Sequence, residues 1–68
     1  MNELEKLVSD LVRDCREKNL TSAKMVGKNI FDLIWSKYKG RAPRWKVKAV
    51  AEDLAESVCL GMGIPHDA

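Results

Sequence analysis

The residues that could carry out nucleophilic or metal chemistry are few and far apart. The 68-residue chain has one histidine, His66, and two cysteines, Cys15 and Cys59. A structural zinc site needs four ligands at a recognisable spacing, and these three residues supply neither the fourth ligand nor the spacing. The chain also has no paired nucleophile and base and no glycine-rich phosphate loop. We therefore expect no catalytic residue, no metal, no cofactor and no small-molecule substrate, and we predict a non-enzymatic protein.

The two cysteines are predicted to be packing groups. Cys15 lies on the apolar stripe of the first predicted helix, and Cys59 flanks the stripe of the third. Two cysteines are too few for a secreted disulfide scaffold and are typical of a reducing compartment. A disulfide between two packed helices is geometrically possible, but the compartment argues against it. The pattern therefore predicts packing cysteines in a cytoplasmic protein and leaves the redox state of Cys15 and Cys59 open.

Charge is distributed unevenly along the chain. The net charge is −2 over residues 1–17, +8 over residues 18–51 and −4 over residues 52–68, although the whole chain carries only +2. Residues 37–48 contain six basic residues and no acidic one. Clustered positive charge of this kind suits either the phosphate backbone of a nucleic acid or an acidic protein surface.

Aromatic residues accompany this basic run. Trp35, Tyr38 and Trp45 lie beside or within it, where they could stack on bases or cover sugars. Trp45 projects about 160° from the centre of the inward stripe of its helix, so it is expected at the surface unless it folds back over Tyr38 or Trp35. The predicted partner-contact surface is Lys39, Arg41, Arg44, Trp45, Lys46 and Lys48. The alternative is a solvated turn whose lysines serve only to interact with the negative, C-terminal end of the helix dipole.

The elements that position these residues are predicted to be three helices, over residues 3–18, 22–39 and 43–62. Apolar residues recur at helical spacing in each range, and no range alternates with period two. Predicted boundary residues are Asn2 and Thr21 as N-caps, Asn19 and Gly40 as C-terminal caps, and Pro43 as the first residue of the third helix. The inward stripe of the third helix is predicted to be Val47, Val50, Ala51, Leu54, Val58 and Met62. The fold class is therefore an all-α, compact three-helix bundle, with a helix-turn-helix-like arrangement as a possible form.

The second predicted helix has an unusually wide apolar face. Its apolar residues cover an arc of about 200°, more than one neighbouring helix would bury. This helix is therefore either central in the bundle or faces a second subunit. A short chain gains stability by burying more surface, so we predict a homodimer with Phe31 and Trp35 at the contact.

Length and composition set the remaining expectations. Hydrophobic residues make up 46% and charged residues 32% of the chain, which is typical of a folded protein. The chain starts with Met1 and has acidic residues among its first leucines, so we expect a complete single domain, residues 1–68, without a signal peptide. No apolar run approaches the roughly 20 residues of a membrane span, so no membrane partner is expected.

These features together predict a small regulatory protein that acts by binding. The first hypothesis is a nucleic-acid-associated regulator that contacts the DNA or RNA backbone through residues 37–48 and the start of the third helix. The alternative is a protein-binding regulator, such as an adaptor, inhibitor or antirepressor of the kind that phages and mobile elements encode. That protein would use the apolar face of the second helix and Trp45.

Overall fold

Three α-helices make up the fold. The computed structural model describes residues 2–65, and its helices are α1 (Glu3–Glu17), α2 (Ala23–Tyr38) and α3 (Arg44–Met62). No strand occurs within residues 2–65. The predicted all-α fold with three helices is confirmed, with each helix one residue shorter at one or both ends than predicted.

The central helix is α3 and not α2. Helix α3 packs along both other helices, whereas α1 and α2 contact each other at only a few positions. The wide apolar arc of α2 is therefore not explained by a central position in the bundle. Part of that arc remains exposed, at Leu33 and Tyr38.

Side chains at the helix starts decide where α1 and α2 begin. The Asn2 side chain accepts a hydrogen bond from the Glu5 backbone N–H at 2.8 Å, as predicted. The N-cap of α2 is Ser22, whose hydroxyl accepts from the Met25 N–H at 3.2 Å, so the prediction of Thr21 was wrong by one residue. Pro43 precedes α3 in extended geometry (φ −67°, ψ 149°) and is not its first residue. Its carbonyl still accepts the first helical hydrogen bonds of α3.

The ends of α1 and α2 are closed by different turns. Asn19 has a left-handed φ of 58°, and the Leu20 N–H donates back to the Cys15 carbonyl at 3.1 Å, which is the Schellman arrangement. Helix α2 ends in a type II turn, in which Lys39 (φ −55°, ψ 125°) caps the helix and Gly40 takes φ 83°. Gly40 therefore supplies the left-handed residue of the turn. The cap itself is Lys39, so the prediction of Gly40 as the cap was wrong by one residue.

The core lies on the two inner sides of α3. Its buried cluster is Leu11, Cys15, Val26, Ile30, Ala51, Leu54, Ala55, Val58 and Cys59. Cys59 belongs to this cluster and has no exposed surface, although it was predicted only to flank the stripe. Val50, which was predicted to point inward, is 44% exposed. The predicted stripe assumed one inward direction, whereas α3 buries one side on α1 and another on α2.

A polar cluster joins α1 to α2 where the two helices meet. The Asn29 side chain donates to an Asp14 carboxylate oxygen at 3.0 Å and accepts from the Lys18 ammonium at 2.8 Å. Lys18 also pairs with Asp14 at 3.0 Å. The hydrogen bond from Asn29, with the neighbouring Lys18, lowers the pKa of the Asp14 carboxyl because both favour its charged form.

Candidate partner-binding surface

All six residues of the predicted contact surface are exposed. They belong to a larger set of exposed basic side chains, here called the cationic surface: Lys24, Lys28, Lys37, Lys39, Arg41, Arg44, Lys46 and Lys48. Within residues 2–65 none of these eight side chains forms a salt bridge; the salt bridges there involve only Lys18 and Arg13. The positive charge of this surface is therefore not balanced by a bonded acid in the described part of the chain.

The turn between α2 and α3 orients part of the cationic surface. The Arg41 N–H donates to the Tyr38 carbonyl at 2.9 Å, which holds the turn closed. Gly40 permits this turn because its left-handed φ is unfavourable for residues with a side chain. Lys37 lies over the ring of Tyr38, with its ammonium 5.8 Å from the ring centre. The turn therefore presents several cations at one end of the bundle.

An open groove runs between α2 and α3, with a volume of about 730 Å³. Its rim carries four cations, two on each helix. These rim cations are Lys24, Lys28, Arg44 and Lys48. Its floor is formed by small side chains of both helices, here called the floor residues: Ala23, Gly27, Ala51 and Ala55. Phe31 and the acidic Glu52 also line it. The groove therefore joins an apolar floor to a mainly cationic rim.

The groove divides the predicted contact surface in two. Arg44 and Lys48 line it, whereas Lys39, Arg41, Trp45 and Lys46 lie outside it. The division follows from helix geometry, because residues two apart on a helix, such as Lys46 and Lys48, point about 160° away from each other. A continuous basic run in the sequence therefore becomes two neighbouring surfaces.

Phe31 and Trp35, the predicted dimer contacts, pack against each other on the groove side of α2. Their rings are stacked, with centroids 6.0 Å apart and planes 10° from parallel. The Arg44 guanidinium lies over the Phe31 ring, 5.3 Å from its centre. Both aromatic side chains are half-buried within one chain. Phe31 is thus part of the same site as Arg44, which the sequence did not reveal.

Trp45 is 72% exposed. The projection that placed it away from the inward stripe is confirmed, and it does not fold back into the bundle. Leu60 is 76% exposed and falls on the same outer face of α3. An exposed tryptophan offers a flat apolar ring to a partner.

The predicted packing role of the two cysteines is confirmed, because both are buried, and the structure shows both as free thiols. Neither Cys15 nor Cys59 has exposed surface or a disulfide partner. Burial raises the pKa of both thiols because it disfavours the thiolate. His66, the third residue of the zinc site that we considered, lies outside the described residues.

Sequence reasoning missed Lys24 and Lys28 as members of the site. They lie far from residues 37–48 along the chain, and only the packing of α2 on α3 brings them opposite Arg44 and Lys48. One signal was available. Lys24, Gly27, Lys28 and Phe31 recur at helical spacing and so share one face of α2.

Comparison with protein-family models, with curated proteins and with solved structures gave no match to this chain. Among the described residues, no helix has the length and apolar character needed to cross a bilayer.

Proposed function

We propose that this chain is a non-enzymatic regulatory protein that binds the phosphate backbone of a nucleic acid through the cationic surface. The observation that supports this proposal best is the set of eight exposed basic side chains, none of which forms a salt bridge within residues 2–65. Lysine and arginine that neutralise phosphates release bound counterions, and this release drives binding. Unpaired cations are available for that role without first breaking an internal ion pair.

The arrangement of the helices favours backbone contact over base reading. Helices α2 and α3 are joined by a short turn, and a helix-turn-helix-like use of α3 would direct its first residues at the nucleic acid. Those residues are Arg44, Trp45, Lys46 and Lys48. The asparagine, glutamine, serine and threonine side chains that read base edges are scarce in α3, whose only such residue is Ser57. Trp45 would then cover a sugar or stack on an unpaired base.

The test is a titration of labelled duplex DNA and of single-stranded RNA at several salt concentrations. If about six phosphates are contacted, affinity should fall about a thousandfold between about 50 and 200 mM salt. The double substitution Arg44→Glu and Lys48→Glu should abolish binding while circular dichroism stays helical, because both side chains are exposed. The matched control is Lys6→Glu with Arg13→Glu, which makes the same charge change on α1. Equal loss in the two double variants, or no binding by the unchanged protein, would contradict the proposal.

A protein partner is the second candidate function, and one observation favours it. The apolar floor of the groove has no role in phosphate contact, whereas an apolar floor inside a charged rim is typical of helix-binding grooves. A pull-down with and without nuclease treatment separates the two functions, because only a nucleic-acid-mediated complex is lost on digestion.

We also propose that the chain forms a homodimer and acts in the cytoplasm. Eight large apolar side chains are exposed in the described chain: Leu4, Leu7, Met25, Leu33, Tyr38, Trp45, Val50 and Leu60. Exposed apolar surface of this kind is often buried when two copies of a protein associate. Phe31 and Trp35 remain the proposed contact, because their rings are only half-buried. Sedimentation that shows a folded monomer at high concentration would contradict the dimer. The two free thiols support a reducing compartment.

A further inference from the structure

The groove between α2 and α3 has a feature that phosphate binding does not use. Its floor residues have small side chains or none, so the surface between the two helices is low and apolar. Within residues 2–65 its four rim cations make no salt bridge. A ligand that fits both features must be apolar along its centre and negatively charged along its sides.

We propose that this groove binds an acidic amphipathic α-helix of a partner protein. Helices that dock in grooves present an apolar stripe with residues at i, i+3, i+4 and i+7. Small residues on the floor let the backbone of such a helix approach closely. Acidic residues that flank its stripe would lie beside the rim cations, and the long-range attraction between them would speed association.

The spacing of the rim supports a helical ligand over an irregular acidic segment. Lys24 and Lys28 are four residues apart on α2, and Arg44 and Lys48 are four residues apart on α3. Four residues correspond to a rise of about 6 Å, so each wall carries two positive charges about one helical turn apart. Glu52, four residues after Lys48 on α3, is the acidic residue of the lining and marks where the positive rim of that wall ends. A ligand helix with glutamates at i and i+4 on both sides of its stripe repeats this spacing.

Phe31 gives the groove an aromatic end. Its ring contacts both the Trp35 ring and the Arg44 guanidinium. An Arg44 side chain already placed by this contact loses less conformational freedom when it meets a carboxylate. Phe31 remains partly exposed in one chain, so the free part of its ring can contact either an apolar side chain of the ligand or, in the proposed dimer, a second subunit.

The probe is a synthetic helical peptide of about 18 residues, long enough to form a helix on binding. Leucines occupy its i, i+3, i+4 and i+7 positions, and glutamates flank them. A control peptide has the same composition with the leucines distributed around all faces. Fluorescence anisotropy at fixed ionic strength should show the amphipathic peptide binding at least about tenfold more tightly than the control.

Two protein variants with equal charge change locate the site. Lys24→Glu with Lys28→Glu reverses the rim on α2 and should weaken peptide binding at least about tenfold. Arg41→Glu with Lys46→Glu reverses two cations outside the groove and should weaken it by less than about threefold, because those charges act only at a distance. Gly27→Leu fills the floor and should abolish peptide binding. Circular dichroism tests whether each variant is folded. If Gly27→Leu does not fold, the comparison of the two double charge variants decides the result.

This inference does not depend on nucleic-acid binding, and the same variants separate the two. Nucleic-acid binding should fall in both charge variants and survive Gly27→Leu, since phosphates do not enter the floor. Equal binding of the two peptides would overturn the groove proposal, as would equal loss in the rim and turn variants, because either result shows nonspecific attraction for polyanions. If the protein binds DNA or RNA but does not bind the peptide, the groove proposal is wrong and the proposed nucleic-acid function stands.

Discussion

The guanidinium carbon of Arg44 lies 5.3 Å from the centre of the Phe31 ring. This contact joins the first residue of α3 to the groove side of α2. It also unites two residues that the sequence assigned to different roles, Arg44 to partner contact and Phe31 to dimer formation. Because the contact crosses the α2–α3 junction, it should contribute to stability as well as to the shape of the groove.

We predict a favourable coupling between these two side chains. Arg44→Ala, Phe31→Leu and the double variant form a thermodynamic cycle whose interaction energy should be about 0.5–1 kcal/mol, the range for an exposed cation–π pair. Urea denaturation monitored by circular dichroism measures the four free energies of unfolding, those of the unchanged protein and of the three variants. A coupling indistinguishable from zero would show that the Arg44 side chain does not rest on the ring in solution.

Replacement of Gly27 by alanine should stabilise the fold. The added Cβ would lie 3.9 Å from the Ala55 Cβ, an ordinary van der Waals contact. Alanine in a helix is favoured over glycine, so the free energy of unfolding should rise by about 0.4–1 kcal/mol. Thermal denaturation should show an increase in Tm of several degrees, about 4–8 °C for each kcal/mol. A lower Tm would mean that α2 and α3 approach more closely than described.

Gly61→Ala provides the contrasting case on the other side of α3. Here the added Cβ would lie only 3.1 Å from Cγ2 of Val12, so α1 or the valine side chain must move. We expect this strain to cancel or exceed the gain in helix propensity. In a Val12→Ala background the neighbouring methyl groups are gone, and Gly61→Ala should then stabilise. The same sign in both backgrounds would exclude Val12 as the cause.

The Asp14 carboxyl predicts a pH dependence of stability. Its pKa is lowered in the folded state by the hydrogen bond from Asn29 and by Lys18. A lowered folded-state pKa adds stability that is fully present above the unfolded value of about 3.9 and is lost as the pH falls through the folded value. Asp14→Asn removes this charge and should cost about 0.5–1 kcal/mol at neutral pH, since the site is partly exposed.

The matching measurement is urea denaturation of both proteins at neutral pH and near pH 3. The difference between the unchanged protein and Asp14→Asn should shrink at the lower pH, because Asp14 of the unfolded chain takes up a proton below its pKa of about 3.9 and the stabilisation from the lowered folded-state pKa then falls. A difference independent of pH would show that the substitution acts through side-chain geometry and not through charge.

The buried thiols should be unreactive in the folded protein. Burial raises the pKa of Cys15 and Cys59 and also blocks access to both sulfur atoms. A thiol reagent near pH 8 should therefore label them only as fast as the protein opens, and labelling should be rapid in concentrated guanidinium chloride. Rapid labelling of the native protein would show that the cluster around Cys59 opens readily.

Much of the fold could be read from the sequence because it depends on neighbours along the chain. Apolar residues at helical spacing indicated three helices, and the left-handed turn at Asn19 follows from the side chain at that position. The exposure of Trp45 was predictable for the same reason, since the direction of a residue within a helix is set by its position alone. Two helix starts were predicted one residue too early, with Thr21 as the N-cap of α2 and Pro43 as the first residue of α3. Adjacent residues compete for the capping position, so local sequence does not fix a helix start to the exact residue.

Which helix is central could not be read from the chain, because it depends on how the apolar faces meet. Helix α2 has an apolar arc of about 200°, yet α3 lies between the others, so α3 buries two sides and leaves Val50 exposed. The groove has the same origin. Its rim joins Lys24 and Lys28 to Arg44 and Lys48, and no spacing in the sequence relates these two pairs. The helices thus follow from periodic local preferences, whereas the candidate site exists only because α2 packs against α3 and brings the two cationic faces together.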